Sequence, residues 1–440
     1  MQRKTAIIMG AAGRDFHNFN VFFRNSKAWN VVAFTTAQIL TKHRTYPAKL
    51  AGRLYKSGIL IHSEPELTDL IKKHRTDYVF LSYSDLSHEE VMHKASTAMA
   101  AGANFALLGP KDTMLKSKKP VISVCAVRTG AGKSPTTRKI SLLLKSMGYR
   151  VVVVRHPMPY GDLEKQAVQR FAKYSDLEKH KCTIEEREEY EPHITNGIVV
   201  YAGVDYEKIL RKAEKEADVI LWDGGNNDFP FYYSDLHVVV LDPHRAGHEL
   251  RYHPGEVNFR TADVLLINKI DSAKKESVRL IMENIRSTNP RAVVIKARSK
   301  VIVYSDVSLK NKKVLVVEDG PTLTHGGMAF GAGTLAAKSL GAKIVDPRKY
   351  AVGSIKSVYR NYPHLKNILP AMGYSKKQVK ELEATINRAP CDAVIDGSPV
   401  NLSMLIKSNK PVIDVTYEIE EIGRPNLADV VRKFAVSHLK

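Results

Sequence analysis

Cysteine is scarce: Cys125, Cys182 and Cys391 are the only three in 440 residues. They lie far apart and form no CxxC pair. That excludes a disulfide framework and a spelled zinc module, and it fits a reducing compartment. No apolar run approaches the ~18 residues that a membrane helix needs. The chain runs from Met1 straight into an apolar stretch, without the leader of a secretory signal. A cytoplasmic location with no membrane partner is therefore expected. Glutamine occurs five times only, while lysine and glutamate abound, as in thermophilic proteins. Acidic residues are in deficit, 46 against 67 Lys+Arg, for a formal net charge of +21. Such a charge suits nucleic acid, an anionic surface or a highly anionic small molecule. Arginine-rich arms, aromatic-basic RNA motifs and helix-turn-helix spellings are absent, so a nucleic-acid partner is not expected.

What is present is enough apolar material, 44%, for sizeable cores. Apolar runs at 5–9, 31–35, 59–61, 78–83 and 105–108 alternate with helical stretches. They predict a Rossmann-like parallel-sheet domain over 1–115. A basic, proline-ended linker covers 115–120. Continuous Val/Ile/Leu runs then recur at 120–127, 151–154, 198–201, 219–222, 238–241, 264–267 and 293–295, as in strands buried on both faces. They predict a P-loop core over 120–300. Runs at 314–317, 393–395 and 412–415 predict a C-terminal α/β extension over 301–440. The acidic stretch 183–191 reads as a solvated helix face.

The strongest motif is Arg128-Thr129-Gly130-Ala131-Gly132-Lys133-Ser134-Pro135, which follows a strand and opens a helix. Glycines let backbone N–H groups approach phosphate oxygens, the helix N-terminus adds positive potential, and lysine neutralises the outer phosphates. Val127 stands where the strict GxxxxGK[ST] pattern has glycine. This variant resembles the SIMIBI branch of P-loop NTPases, with Arg128 at the position of its extra lysine. The strand ending in Asp223 has the Walker B form, so Ser134 and Asp223 are candidate Mg²⁺ ligands. Asn268-Lys269-Ile270-Asp271 at a later strand end matches the guanine-specificity motif, with Asp271 accepting from the guanine N1 and N2 donors. ATP or GTP is the expected cosubstrate. Further strand-end loops carry Arg155, His156 and Asp162; Arg245 and His248; and Glu318, Asp319 and His325. Arg155, His156, Arg245, His248 and His325 are candidate ligands for substrate anions, Asp162 is a candidate catalytic carboxylate, and Glu318 or Asp319 is a candidate metal ligand. Polar loops recurring at one sheet edge predict one extended crevice.

The strings at 10–20, 154–162 and 222–230 resemble an archaeal family of P-loop GTPases identified as cyclic 2,3-diphosphoglycerate synthetases or synthetase-like proteins. The resemblance spans essentially the whole chain. It implies a Mg²⁺-dependent, NTP-driven phosphoryl-transfer ligase that closes 2,3-diphosphoglycerate into a cyclic pyrophosphate, and a homodimer is expected. The alternative is a SIMIBI GTPase acting as a switch or metallochaperone.

Overall fold

Short Val/Ile/Leu strands alternating with helices build two main sheets in the computed structural model. It describes residues 3–11, 13–37, 44–156, 161–225, 227–305, 308–324, 328–371 and 376–439. The first sheet contains β1 (Lys4–Met9), β2 (Trp29–Thr36), β3 (Arg44–Tyr46), β4 (Ile59–Ser63), β5 (Tyr78–Leu81) and, after the two-residue β6 (Leu86–Ser87), β7 (Asn104–Leu107). Its order is β3-β4-β2-β1-β5-β7, parallel except for the antiparallel edge pair β3–β4. Phe16, Phe19, Phe23, Phe34 and Tyr46 fill one side, an aromatic core that suits a small sheet.

The second sheet begins with β8 (Val121–Ala126), β9 (Val151–Arg155), β10 (Gln169–Phe171), β11 (Val199–Ala202), β12 (Val219–Asp223) and β13 (Leu236–Leu241). After the short β14 (Tyr252–His253) come β15 (Val264–Ile267), β16 (Val293–Tyr304), β17 (Lys313–Asp319), β18 (Lys343–Ile344), β19 (Leu369–Ala371), β20 (Ala393–Gly397) and β21 (Val412–Glu421). The order is β10-β11-β9-β12-β8-β13-β15-β16-β21-β20-β17-β18, with β19 beside β17. The β8, β9, β12, β13 and β15 strands are fully buried, as continuous apolar runs require.

The long strand β16 joins the two halves of this sheet. Its first residues pair parallel with β15, and its remainder pairs antiparallel with β21. Residue 300 thus lies inside a strand. The stretch 115–120 is likewise fastened: Leu115 N–H donates to the Phe231 carbonyl. After β21 the chain returns to the phosphate-loop helix Lys133–Ser146, where Lys139 Nζ donates to the Ile419 carbonyl at 2.8 Å and pairs with Glu421. The helix Leu427–His438 buries Leu427, Val431 and Phe434 in the same core as Ile140 and Leu144. No helix among the described residues is long and apolar enough to cross a membrane.

Candidate active site

The turn after β8 carries the phosphate loop, and the helix Lys133–Ser146 opens from it. Gly132 has φ 115°, and a Cβ there would overlap the Asn268 amide, so only glycine fits. Asn268 Nδ2 donates to the Ala131 carbonyl at 2.9 Å, and Lys269 Nζ donates to the Gly130 carbonyl at 2.6 Å. The Asn-Lys pair therefore braces the loop. Asp271, two residues further, lines a cavity of about 480 Å³ with Lys269, Arg298, Lys300, Met328 and Phe330. A larger cavity of about 530 Å³ lies on the other side of the loop. Both include Gly130 and Tyr417 in their walls.

The larger cavity mixes charges of both signs. Its lining includes Arg128, Lys133, Ser134, Arg138 and Arg155 together with Glu188, Glu189, Glu191, Asp319, Asp396, Asp414 and Glu418, and Arg155 pairs with Glu189. Burial, with the Arg155 charge, lowers the Lys133 pKa to about 8, against the attraction of Asp223, Cys125 and Asp319. Asp396 and Asp414 are register partners on the neighbouring strands β20 and β21. Burial, with the Asp414 charge, pushes the Asp396 carboxyl up to about 7, against hydrogen bonds from Ser398 and Leu402.

Asp223 is wholly buried. Its Oδ1 accepts from Thr137 Oγ1 at 3.0 Å and lies 2.8 Å from Arg155 Nη1, while Oδ2 lies 3.1 Å from His193 Nε2. Burial alone would raise its pKa, but Arg155, His193 and Lys133 hold it far below the carboxylate range. Both oxygens are engaged within the protein, and Asp223, expected as a Mg²⁺ ligand, does not line the larger cavity. Ser134 and Asp319 offer hard oxygen donors beside Lys133, a set that fits Mg²⁺ shared with nucleotide oxygens. No cluster of three metal-ligating side chains occurs among the described residues, and a phosphate-bound Mg²⁺ needs none.

Several expected ligands are committed elsewhere. Arg155 pairs with Asp223 and Glu189 and donates to the Asp223 and Gly224 carbonyls at 3.1 and 3.2 Å, and it lines the larger cavity. His156 packs between the two sheets against Phe231 and Trp222, with Nδ1 3.1 Å from Asp228 Oδ2, and it lines neither cavity. Gly13 abuts its ring so closely that a Cβ would overlap it. Asp162 is half-exposed and caps its own turn by accepting from the Glu164 N–H. Arg245 pairs with Asp242 at 2.8 Å, and His248 Nδ1 faces Arg128 Nη1 at 2.7 Å. Glu318, expected as a metal ligand, lines neither cavity. It accepts from the N–H groups of Gly331, Gly333 and Thr334 and from the Thr334 hydroxyl, capping the helix Ala332–Ser339. Burial raises its pKa to about 7 against those bonds. Its neighbour Asp319 lines the cavity. His325 lies outside the described residues.

The acidic stretch is not a solvated face. Glu186, Glu188 and Glu191 of the helix Ile184–Thr195 are buried, and Glu188, Glu189 and Glu191 line the larger cavity. Sequence reasoning missed Arg138, His193, Asp414 and Glu418. Asp414, Thr416 and Glu418 alternate with the buried Ile413, Val415 and Ile419, a period-two signal that could have placed them on one strand face.

Fold and site together define an α/β P-loop enzyme. Over 436 residues the chain is 63% identical to the arginine synthetase ArcE of Thermococcus kodakarensis, covering 99% of this chain and 97% of that protein. The chain belongs to the family of that arginine synthetase. It is also 22% identical to the cyclic 2,3-diphosphoglycerate synthetase of Thermococcus onnurineus, over 53% of this chain and 60% of the relative. The expected whole-chain resemblance to that second group is thus confined to about half the chain. Among solved structures, LpxK from Aquifex aeolicus in complex with ATP is similar at 14% identity and a TM-score of 0.44, over 74% of this chain and 91% of that one. No protein-family profile matches the chain.

Proposed function

We propose that the chain is a Mg²⁺- and nucleoside-triphosphate-dependent ligase that forms arginine. The observation that carries the proposal is the cavity beside the phosphate loop, which is lined by carboxylates as well as by the loop's cations. The product in the name of the 63%-identical relative carries a guanidinium and an α-ammonium group, and carboxylates such as Asp396 and Asp414 suit both.

The chemistry follows from the product. A guanidinium carbon that starts out bonded to oxygen must lose that oxygen, and transfer of the γ-phosphoryl group turns it into a leaving group. A nitrogen nucleophile then forms the new C–N bond as phosphate departs. Lys133 and the loop N–H groups would hold the triphosphate, and Arg138 would reach the same oxygens. Bound Mg²⁺, held by Ser134 and Asp319, would offset charge on the phosphates. Asp396, Asp414 and Glu418 would orient the amino acid. The smaller cavity beside Asp271 would receive the nucleobase.

The test is direct. Purified protein with Mg²⁺, ammonium, the ureido counterpart of arginine and either ATP or GTP should yield arginine, phosphate and the nucleoside diphosphate. No arginine with either nucleotide would overturn the reading. The cyclic 2,3-diphosphoglycerate synthetase activity remains the second reading, favoured by the four cavity-lining cations Arg128, Lys133, Arg138 and Arg155. It predicts a cyclic pyrophosphate signal in ³¹P NMR when 2,3-diphosphoglycerate is supplied.

A further inference from the structure

We propose that the first sheet domain is part of the nucleotide site, with Asp85 as a positioning residue that holds Arg128 and Thr129 of the phosphate loop; this rests on the nucleotide-dependent reading above. Asp85 occupies a left-handed backbone position, φ 62°, just before β6. β6 pairs antiparallel with β14 of the second domain through Ser87 with Tyr252 and Leu86 with His253. The Asp85 turn is thereby fastened by backbone to the domain that carries the phosphate loop. Asp85 Oδ1 accepts from Arg128 Nε at 2.6 Å, and Oδ2 accepts from Thr129 Oγ1 at 2.9 Å. Each oxygen thus serves one of two consecutive loop residues.

The Arg128 guanidinium is enclosed on two further sides. Nη1 lies 2.7 Å from His248 Nδ1, and the group sits over Tyr252, 3.7 Å from the ring centroid. Arg128 is only 8% exposed, yet it lines the larger cavity together with Lys133. A guanidinium has five N–H donors, and Asp85 and His248 engage two of them; the rest can serve phosphate oxygens. Held on three sides, the side chain has little rotamer freedom left to lose when an anion binds. A second contact between the domains acts on the loop after β12. Arg14 Nη1 lies 3.4 Å from Asp228 Oδ1, and its guanidinium sits 3.8 Å from the Phe229 ring centroid. The first domain thus touches both loops that flank the phosphate-loop lysine.

The test compares steady-state ATP and GTP turnover in wild type, Asp85→Asn, Asp85→Glu, Arg128→Met, Asp85→Asn/Arg128→Met and Lys133→Ala, with calorimetric Tm for each. Loss of one charge-assisted contact should raise the nucleotide KM in Asp85→Asn by about tenfold. Asp85→Glu should recover part of that loss. The double variant should lose clearly less than the sum of the two single losses, because the Asp85 contact to Arg128 is already gone in Arg128→Met and only the Thr129 contact remains to be lost. Arg128→Lys, which leaves Asp85 intact but removes the fork, should raise KM as well, and it carries the test if Asp85→Asn fails to fold. An unchanged KM in Asp85→Asn, with or without a lower Tm, overturns the positioning role, as do additive losses in the double variant. Turnover that survives Lys133→Ala overturns instead the nucleotide reading beneath it.

Discussion

Arg155 Nη1 lies 2.8 Å from Asp223 Oδ1, and the two residues are register partners at the ends of the neighbouring strands β9 and β12. Both side chains are buried, so each charge depends on the other. Removing the guanidinium alone strands a buried carboxylate whose remaining hydrogen-bond partners are His193 and Thr137. Arg155→Met should therefore cost about 3–5 kcal/mol, the usual penalty for orphaning one member of a buried pair. Arg155→Met/Asp223→Asn should recover a good part of that loss, because the second change removes the stranded charge. Chemical denaturation of the three proteins at pH 7 checks this. A double variant less stable than Arg155→Met would show that Asp223 is held mainly by other groups.

Lys133 gives a pH signature. With its pKa lowered to about 8, the free enzyme loses the ammonium charge as pH rises through that value. Nucleotide kcat/KM reports the free enzyme, so it should fall above pH ~8, by up to tenfold per pH unit for one group. A guanidinium cannot be deprotonated in this range, so Lys133→Arg should flatten that limb even at lower activity. A limb unchanged in Lys133→Arg would assign it to another group.

The phosphate loop, the positions of the main strands along the chain and the recurrence of polar strand-end loops were legible because each rests on local signals. These are glycine before lysine, apolar runs of strand length and charge at their ends. What stayed hidden depends on partners distant in sequence. Arg155 and His156 look alike in sequence as strand-end cations, yet one meets Asp223 while the other turns into the aromatic contact between domains. Glu318 and Asp319 are adjacent, and strand alternation sends one to a helix cap and the other to the cavity. The acidic helix looked solvated because burial of three glutamates needs a neighbouring wall that no local pattern encodes. The long strands β16 and β21 extended well past their apolar cores because their exposed positions carry charge, such as Lys296, Arg298 and Glu418.

Asn268 and Asp271 should separate cleanly. Asn268 braces the loop backbone, so Asn268→Ala should raise the KM for ATP and GTP alike. Asp271 lines the smaller cavity, where a nucleobase would lie, so Asp271→Ala should change the ratio of the two KM values. If guanine is read, GTP should lose roughly 1–3 kcal/mol of binding while ATP changes little. Side-by-side KM measurements decide it. An equal effect on both nucleotides would remove Asp271 from base selection.

Asp396 and Asp414 should govern the amino-acid substrate and not the nucleotide. Asp414→Asn should raise the KM for the amino acid by about tenfold, the size of one charge-assisted contact, and leave the nucleotide KM near wild type. Asp396 adds a pH limb of opposite sign to that of Lys133. Its carboxyl titrates near pH 7 in the folded chain and turns anionic above that, so binding of a cationic group strengthens as pH rises through 7. Amino-acid kcat/KM should then follow a bell, rising through ~7 with the Asp396–Asp414 pair and falling beyond ~8 with Lys133. Asp396→Asn should remove the rising limb and keep the falling one. A rising limb that persists in Asp396→Asn would move the cation contact to another carboxylate of the cavity, and a nucleotide KM that rises in Asp414→Asn would place Asp414 beside the triphosphate instead.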